Sequence, residues 1–103
     1  MIARVATFEG INVDAARSTM DEAESVIRPM LEGLDGYVGA MELVSDDGKF
    51  LSISLFDSMQ SAQAAEPVFD QEMPQKLGHL FQQWAGHRVS VDRFEVAGDY
   101  RSQ

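Results

Sequence analysis

The sequence predicts an α+β fold of the ferredoxin-like β-α-β-β-α-β order, an antiparallel four-stranded sheet with its helices on one face. Three observations predict it. Strand-like apolar segments and amphipathic helical stripes alternate in that order along the chain. A strong hairpin signal, Asp46-Asp47-Gly48-Lys49, joins the two middle strands. No linker, repeat or low-complexity tract divides the 103 residues, and 45% hydrophobic with 24% charged residues suits one packed core, so residues 1–103 are read as a single domain.

Each element has its own local reason. Ile2 to Phe8 mixes β-branched, aromatic and small residues and reads as the first strand, with Glu9-Gly10-Ile11-Asn12 as a connection. Val13 to Leu34 reads as a long helix, because Met20, Ala23, Ile27, Met30, Leu31 and Leu34 fall in one stripe about 100° wide. Asn12 is its expected N-cap, Glu24 and Arg28 an i,i+4 pair, Pro29 a kink or strain point, and Gly33 or Gly36 its end. Tyr37 to Val44 is apolar in both alternating sets except at Glu42, which predicts a largely buried second strand.

Phe50 to Phe56 alternates cleanly as the third strand. Leu51, Ile53 and Leu55 are expected on the helix-covered face, and Phe50, Ser52, Ser54 and Phe56 on the other. Asp57-Ser58-Met59-Gln60 has the form of a capping box. Pro67 and Pro74 should divide Ser58 to Trp84 into short helical pieces, with Phe69, Met73, Leu77, Leu80, Phe81 and Trp84 as one stripe and Gly86 as the stop. His87 to Val96 reads as the fourth strand, with a bulge near Asp92 where the apolar phase changes, and Gly98 to Gln103 as a frayed tail.

Composition narrows the function. Seventeen acids against 8 bases give a net charge of -9, which opposes nucleic acid and anionic membrane surfaces. There is no cysteine, so disulfides, thiolate nucleophiles and most structural zinc sites are excluded. No apolar run approaches the length of a membrane span, and Met1 to Gly10 lacks the pattern of a signal peptide, so the expected location is cytoplasmic. Large side chains on both sheet faces predict a homodimer, with a second copy of the sheet covering the face the helices leave open.

Met1-Ile2-Ala3-Arg4-Val5, Gly36-Tyr37-Val38-Gly39 and Leu51-Ser52-Ile53-Ser54-Leu55-Phe56-Asp57-Ser58 resemble the dimeric α/β-barrel superfamily, and within it the antibiotic-biosynthesis-monooxygenase-like domains. The resemblance runs over residues 2 to 97, with Phe56 where such domains more often carry Trp. It implies a dimeric α/β barrel and a range of activities, among them cofactor-independent quinone-forming monooxygenases, haem-degrading monooxygenases, small isomerases and ligand-sensing dimers. Fold does not choose among them.

The haem-degrading branch uses a strand-one Asn, a Trp near the second helix and an axial His. Here Thr7 or Phe8 stands for the first and Ala64 or Ala65 for the second. His79 is the axial candidate, yet it projects about 200° around the helix from Leu77, away from the apolar stripe. Haem is therefore disfavoured, and no cofactor is expected. His87-Arg88 has no cluster of acids around it, so no metal site is expected either.

The resemblance, with the aromatic-rich second set of strand positions, implies as the first reading a cofactor-independent monooxygenase, an oxidoreductase acting on a small aromatic or polyketide-like molecule. Arg4 is its candidate anion stabiliser. Tyr37, Ser52 and Ser54 are candidate hydrogen-bonding residues, and Met41, Phe50, Phe56 and Trp84 candidate apolar walls. The alternative is a non-catalytic dimer that binds a small ligand or answers stress, with the same residues serving only packing and ion pairing.

Overall fold

Strand β1, Ile2–Ile11, lies inside the sheet and pairs on both edges. The computed structural model describes residues 1–101. After β1 come α1 (Val13–Glu32), β2 (Tyr37–Val44), β3 (Phe50–Phe56), α2 (Met59–Ala64), a π-helical turn (Val68–Glu72), α3 (Met73–Trp84) and β4 (Ala85–Glu95). The strand order is β2-β3-β1-β4 and every neighbouring pair is antiparallel, as the element order predicts. Among the described residues no helix is long and apolar enough to cross a membrane.

Local chemistry explains the boundaries. Asn12 accepts a hydrogen bond from the Ala15 N–H at 3.1 Å and caps α1, which runs through Pro29 and ends at Gly33. Gly36 takes φ 74°, and a Cβ there would collide with Asp57 Oδ1 and Ser61 Oγ, so the close crossing of these two turns requires glycine. Pro67 stands before the π-helical turn and Pro74 in the first turn of α3, where a missing N–H costs least. α3 passes into β4 without a loop, through Ala85 and Gly86, both with positive φ.

The two sheet faces are reversed from expectation. Phe50, Ser52, Ser54 and Phe56 face the helices, in register with Phe8, Ala6, Arg4 and Ile2 of β1. Leu51, Ile53 and Leu55 lie on the open face, opposite Thr7, Val5 and Ala3. Under the helices Phe50 meets Trp84, and Phe56 meets Tyr37 and Phe69, contacts that need aromatic reach. Alternation defines two sets of residues but carries no sign, and a one-residue shift exchanges them.

Other elements differ in detail. β2 is an edge strand, not a largely buried one: Val38, Met41 and Leu43 are 44–48% exposed. β1 continues through the expected connection to Ile11, whose N–H donates to the Gly48 carbonyl at 3.0 Å. Helix α2 is capped by Ser58 alone, which accepts from the Ser61 N–H at 3.1 Å; Gln60 is one position too early to close a capping box. The bulge in β4 is at Val89, not Asp92, because Thr7 pairs with Ser90 and Phe8 with Arg88. The apolar phase change arises instead because Val91 faces the helices and Phe94 the open side. Gly98 to Arg101 has no regular structure; Ser102 and Gln103 of the expected tail lie outside the described residues.

Candidate functional site

Between the sheet and the helices lies a cavity of about 270 Å³. Its floor is the helix-facing set of β1 and β3, with Phe8, Phe50 and Ser52, and its walls include Ile27 of α1 and Phe69, Phe81 and Trp84 of the second helical stretch. The rings are mutually fixed. Phe8 meets Phe50 edge-on at 5.9 Å between centroids, and Trp84 leans on Phe50 at 5.8 Å and on Phe81 at 5.3 Å. The Trp84 indole N–H donates to Thr19 Oγ1 at 2.6 Å, which holds the ring against α1. An apolar cavity of about 150 Å³ accepts benzene, so this one has room for a somewhat larger planar molecule.

Two charged side chains from the sheet enter this apolar space. Arg4 is 1% exposed. Its Nε and Nη2 donate to the Glu66 carboxylate at 2.9 and 3.3 Å, and its guanidinium lies 4.0 Å from the centre of the Phe69 ring. Arg93 of β4 donates to the same carboxylate at 2.8 Å. Burial works against charge on Glu66, but hydrogen bonds and charge from Arg4, then from Arg93, outweigh it and hold the carboxyl below its ordinary range. Two cations sharing one anion leave one positive charge in excess at this end of the cavity.

Glu42 of β2 is the second. Its Oε1 accepts from Ser52 Oγ at 3.4 Å, while Oε2 is buried without a hydrogen-bond partner. Burial pushes the Glu42 carboxyl up to about 7, with the Ser52 hydroxyl acting weakly in the opposite direction.

Comparison with known proteins bears on the fold. No family model and no curated protein matches the chain. Solved structures do. The monooxygenase of ActVA-Orf6 from Streptomyces coelicolor, in complex with nanaomycin D, is 14% identical, with 99% of this chain and 92% of that one covered at TM-score 0.70. SnoaB, a cofactor-independent oxygenase from Streptomyces nogalater, is 11% identical over 98% and 97% at TM-score 0.65. A dimeric ferredoxin-like protein from an uncultured marine organism is 11% identical over 98% of each chain at TM-score 0.69.

This chain has the ferredoxin-like fold of these structures. At such identities the likeness extends to the architecture, and the site must be read from its own residues.

Within that fold, the residues singled out from sequence divide into three groups. Arg4, Phe50, Ser52 and Trp84 line the cavity together. Tyr37 and Met41 do not line it; they border an adjoining cleft between α1 and β2 that shares Met20, Ile27 and Glu42 with the cavity, and burial raises the Tyr37 phenol above its ordinary value. Ser54 and Phe56 are buried and line neither space, and the Ser54 hydroxyl has no partner. His79 is exposed on the far side of α3, with Nε2 3.2 Å from Glu22. His87 and Arg88 are exposed members of the cavity lining, and Arg88 pairs with Asp70 at 2.9 Å. No cluster of three or more His, Asp or Glu side chains able to hold a metal ion occurs among the described residues.

Glu42, Glu66 and Phe69 were not singled out by sequence reasoning. Glu42 did leave a signal, as the one acid interrupting an apolar strand. Glu66 left none, since its partner Arg4 is 62 residues away.

Proposed function

We propose that the protein is a small cofactor-independent oxygenase that takes a planar aromatic or polyketide-like molecule into the cavity between sheet and helices. The observation that carries this reading is a cavity walled by aromatic rings with a fixed positive centre, Arg4, at one end. Apolar walls bind the ring and exclude water, and the excess positive charge stabilises an anion formed on it.

The chemistry needs only substrate and dioxygen. An activated methylene in its enol or phenol tautomer loses the hydroxyl proton, and the resulting anion, carbanion-like at carbon, passes one electron to oxygen. The radical pair closes to a hydroperoxide, which sheds water with the second C–H proton. The sum is R₂CH₂ + O₂ → R₂C=O + H₂O, with four electrons leaving carbon and four reducing oxygen. The protein supplies position, dryness and charge.

Support for assembly comes from the open sheet face. Leu43, Met41 and Phe94 are 44–55% exposed there, beside Val5, Leu51, Ile53 and Leu55. An aliphatic surface of this kind is costly to leave in water, at roughly 25 cal/mol per Å². A second copy of the same face, packed about a two-fold axis, covers it, and the dimeric ferredoxin-like relative supports that arrangement.

The test is oxygen uptake with a panel of hydroquinones and anthrone-like compounds under labelled dioxygen. One labelled atom is expected in the new carbonyl and the other in water. Arg4→Ala, which leaves Glu66 its pair with Arg93, should lower kcat/KM by about 10²-fold. Uptake by no member of the panel sinks the oxygenase, and ring binding without uptake would favour a non-catalytic binding protein.

A further inference from the structure

Glu42 sits midway along an edge strand with its side chain turned under the helices. It is in register with Ser52 of β3, which is itself opposite Ala6 of β1, so the carboxylate stands two strands away from the line of Arg4. It lines the same cavity as Phe50, Trp84 and Arg4.

A buried carboxylate normally has a cation or several N–H donors around it. Glu42 has neither. The charged and titratable groups on the surrounding elements are committed elsewhere or lie outside the apolar space. On β1, Arg4 is held by Glu66. On α1, Glu24 and Arg28 pair with one another; they border the adjoining cleft, which Glu42 also lines, together with Tyr37 of β2, and neither makes a hydrogen bond or ion pair with Glu42. On β4, Arg88 is paired with Asp70, and His87 is exposed. From β3 comes only the Ser52 hydroxyl, which fixes Oε1 and leaves Oε2 without a donor. A purely structural role gives no reason for this choice, because glutamine or leucine would fill the same volume without the cost of a desolvated charge.

We propose that Glu42 is the proton acceptor of the cavity, taking the proton of a phenolic or enolic hydroxyl on the bound ring. The inference rests on reading the cavity as an aromatic-substrate site and deepens it by naming the acidic group the substrate must carry. In the step, the substrate O–H bond breaks and its electron pair stays on the substrate oxygen. The proton forms a new O–H bond at Glu42 Oε2, and no electron changes hands. Negative charge thereby leaves the carboxylate for the ring, in the same cavity as Arg4. An acceptor that titrates near 7 is a far better match to a phenol than an ordinary carboxylate at 4.5.

The experiment compares the wild type with Glu42→Gln and Glu42→Asp, using para-nitrophenol as the binding probe and the hydroquinone panel for turnover. The wild-type kcat/KM should fall on the acid side with a midpoint of about 7. Glu42→Gln should lower kcat by about 10²–10⁴-fold, remove that acid limb and leave KM within a few-fold. Glu42→Asp should keep the limb and recover part of the rate. When para-nitrophenol binds about one pH unit above the midpoint, an infrared band of a protonated carboxyl should appear in the wild type and be missing in Glu42→Gln.

Glu42→Gln with wild-type turnover and an intact acid limb overturns the assignment while the oxygenase reading stands. The infrared band without oxygen uptake upholds Glu42 as acceptor while the oxygenase reading falls. Tight binding of para-nitrophenol with no such band in the wild type overturns the assignment outright. No binding of the probe and no uptake overturns both readings.

Discussion

The two faces of the one sheet carry opposite chemistry. Beneath the helices lie the polar groups Arg4, Glu42, Ser52 and Ser54, set among Phe8, Phe50 and Phe56. On the open face hydrocarbons predominate, with Val5, Leu43, Leu51, Ile53, Leu55 and Phe94, and the polar exceptions are Thr7, Ser90 and Asp92 of β1 and β4. A rule that puts grease inside and polarity outside would assign them the other way round. The difference teaches that covering a sheet face does not decide its polarity: the covered face holds a few polar groups away from water at fixed positions, while the open face presents a mainly aliphatic surface.

The comparison can be broken at several points. The largest effect belongs to Phe56→Ala. Its ring is fully buried against Tyr37 and Phe69, and its loss should cost about 3–5 kcal/mol, read from urea denaturation. A cost near zero would mean that the helix-facing set is not a packed layer.

Glu42→Gln comes next, and its sign depends on pH. The folded carboxyl titrates at about 7 against an ordinary 4.5, so the folded state holds the proton more tightly than the unfolded chain. Its contribution to stability is full below 4.5 and is lost as pH rises through about 7. Glu42→Gln should therefore be the more stable protein above neutrality, by about 2–3 kcal/mol, with the gap closing on acidification. Urea melts across that window measure it, and parallel profiles would show that Glu42 is not desolvated.

The smallest effect on the protomer is on the open face. Ile53→Asp should change the stability of the separate chain by only about 1 kcal/mol. It should, however, convert a species of twice 11.4 kDa into one of 11.4 kDa in sedimentation. A wild type that already sediments at 11.4 kDa at micromolar concentration would remove the dimer from the proposal.

The fold was legible because its determinants are local. The Asn12 cap, the Asp46 to Lys49 turn and the period of β3 each act within a few residues, and the element order follows from them. What was illegible is set by pairing across the chain. The side on which Leu51 lies depends on where α1 and α3 come to rest, and the Val89 bulge is defined only against Thr7 and Phe8 of β1. Within the site, Arg4, Phe50, Ser52 and Trp84 could be picked out because unusual residue types stood in strand or helix phase. Glu66 and Phe69 could not, since what makes them matter is contact with Arg4 after folding.

The sharing of Glu66 by Arg4 and Arg93 leaves a local positive charge at one end of the cavity, in a chain whose net charge is of the opposite sign. A chain with net charge -9 repels anions at a distance, so a guest that diffuses in uncharged is favoured over its ionised form. If the proposed proton transfer to Glu42 operates, the ionised guest lies near Arg4 and leaves most readily after it regains its proton or is transformed. On that proposal, how long the guest stays would be set by where it exchanges its proton, with no moving part.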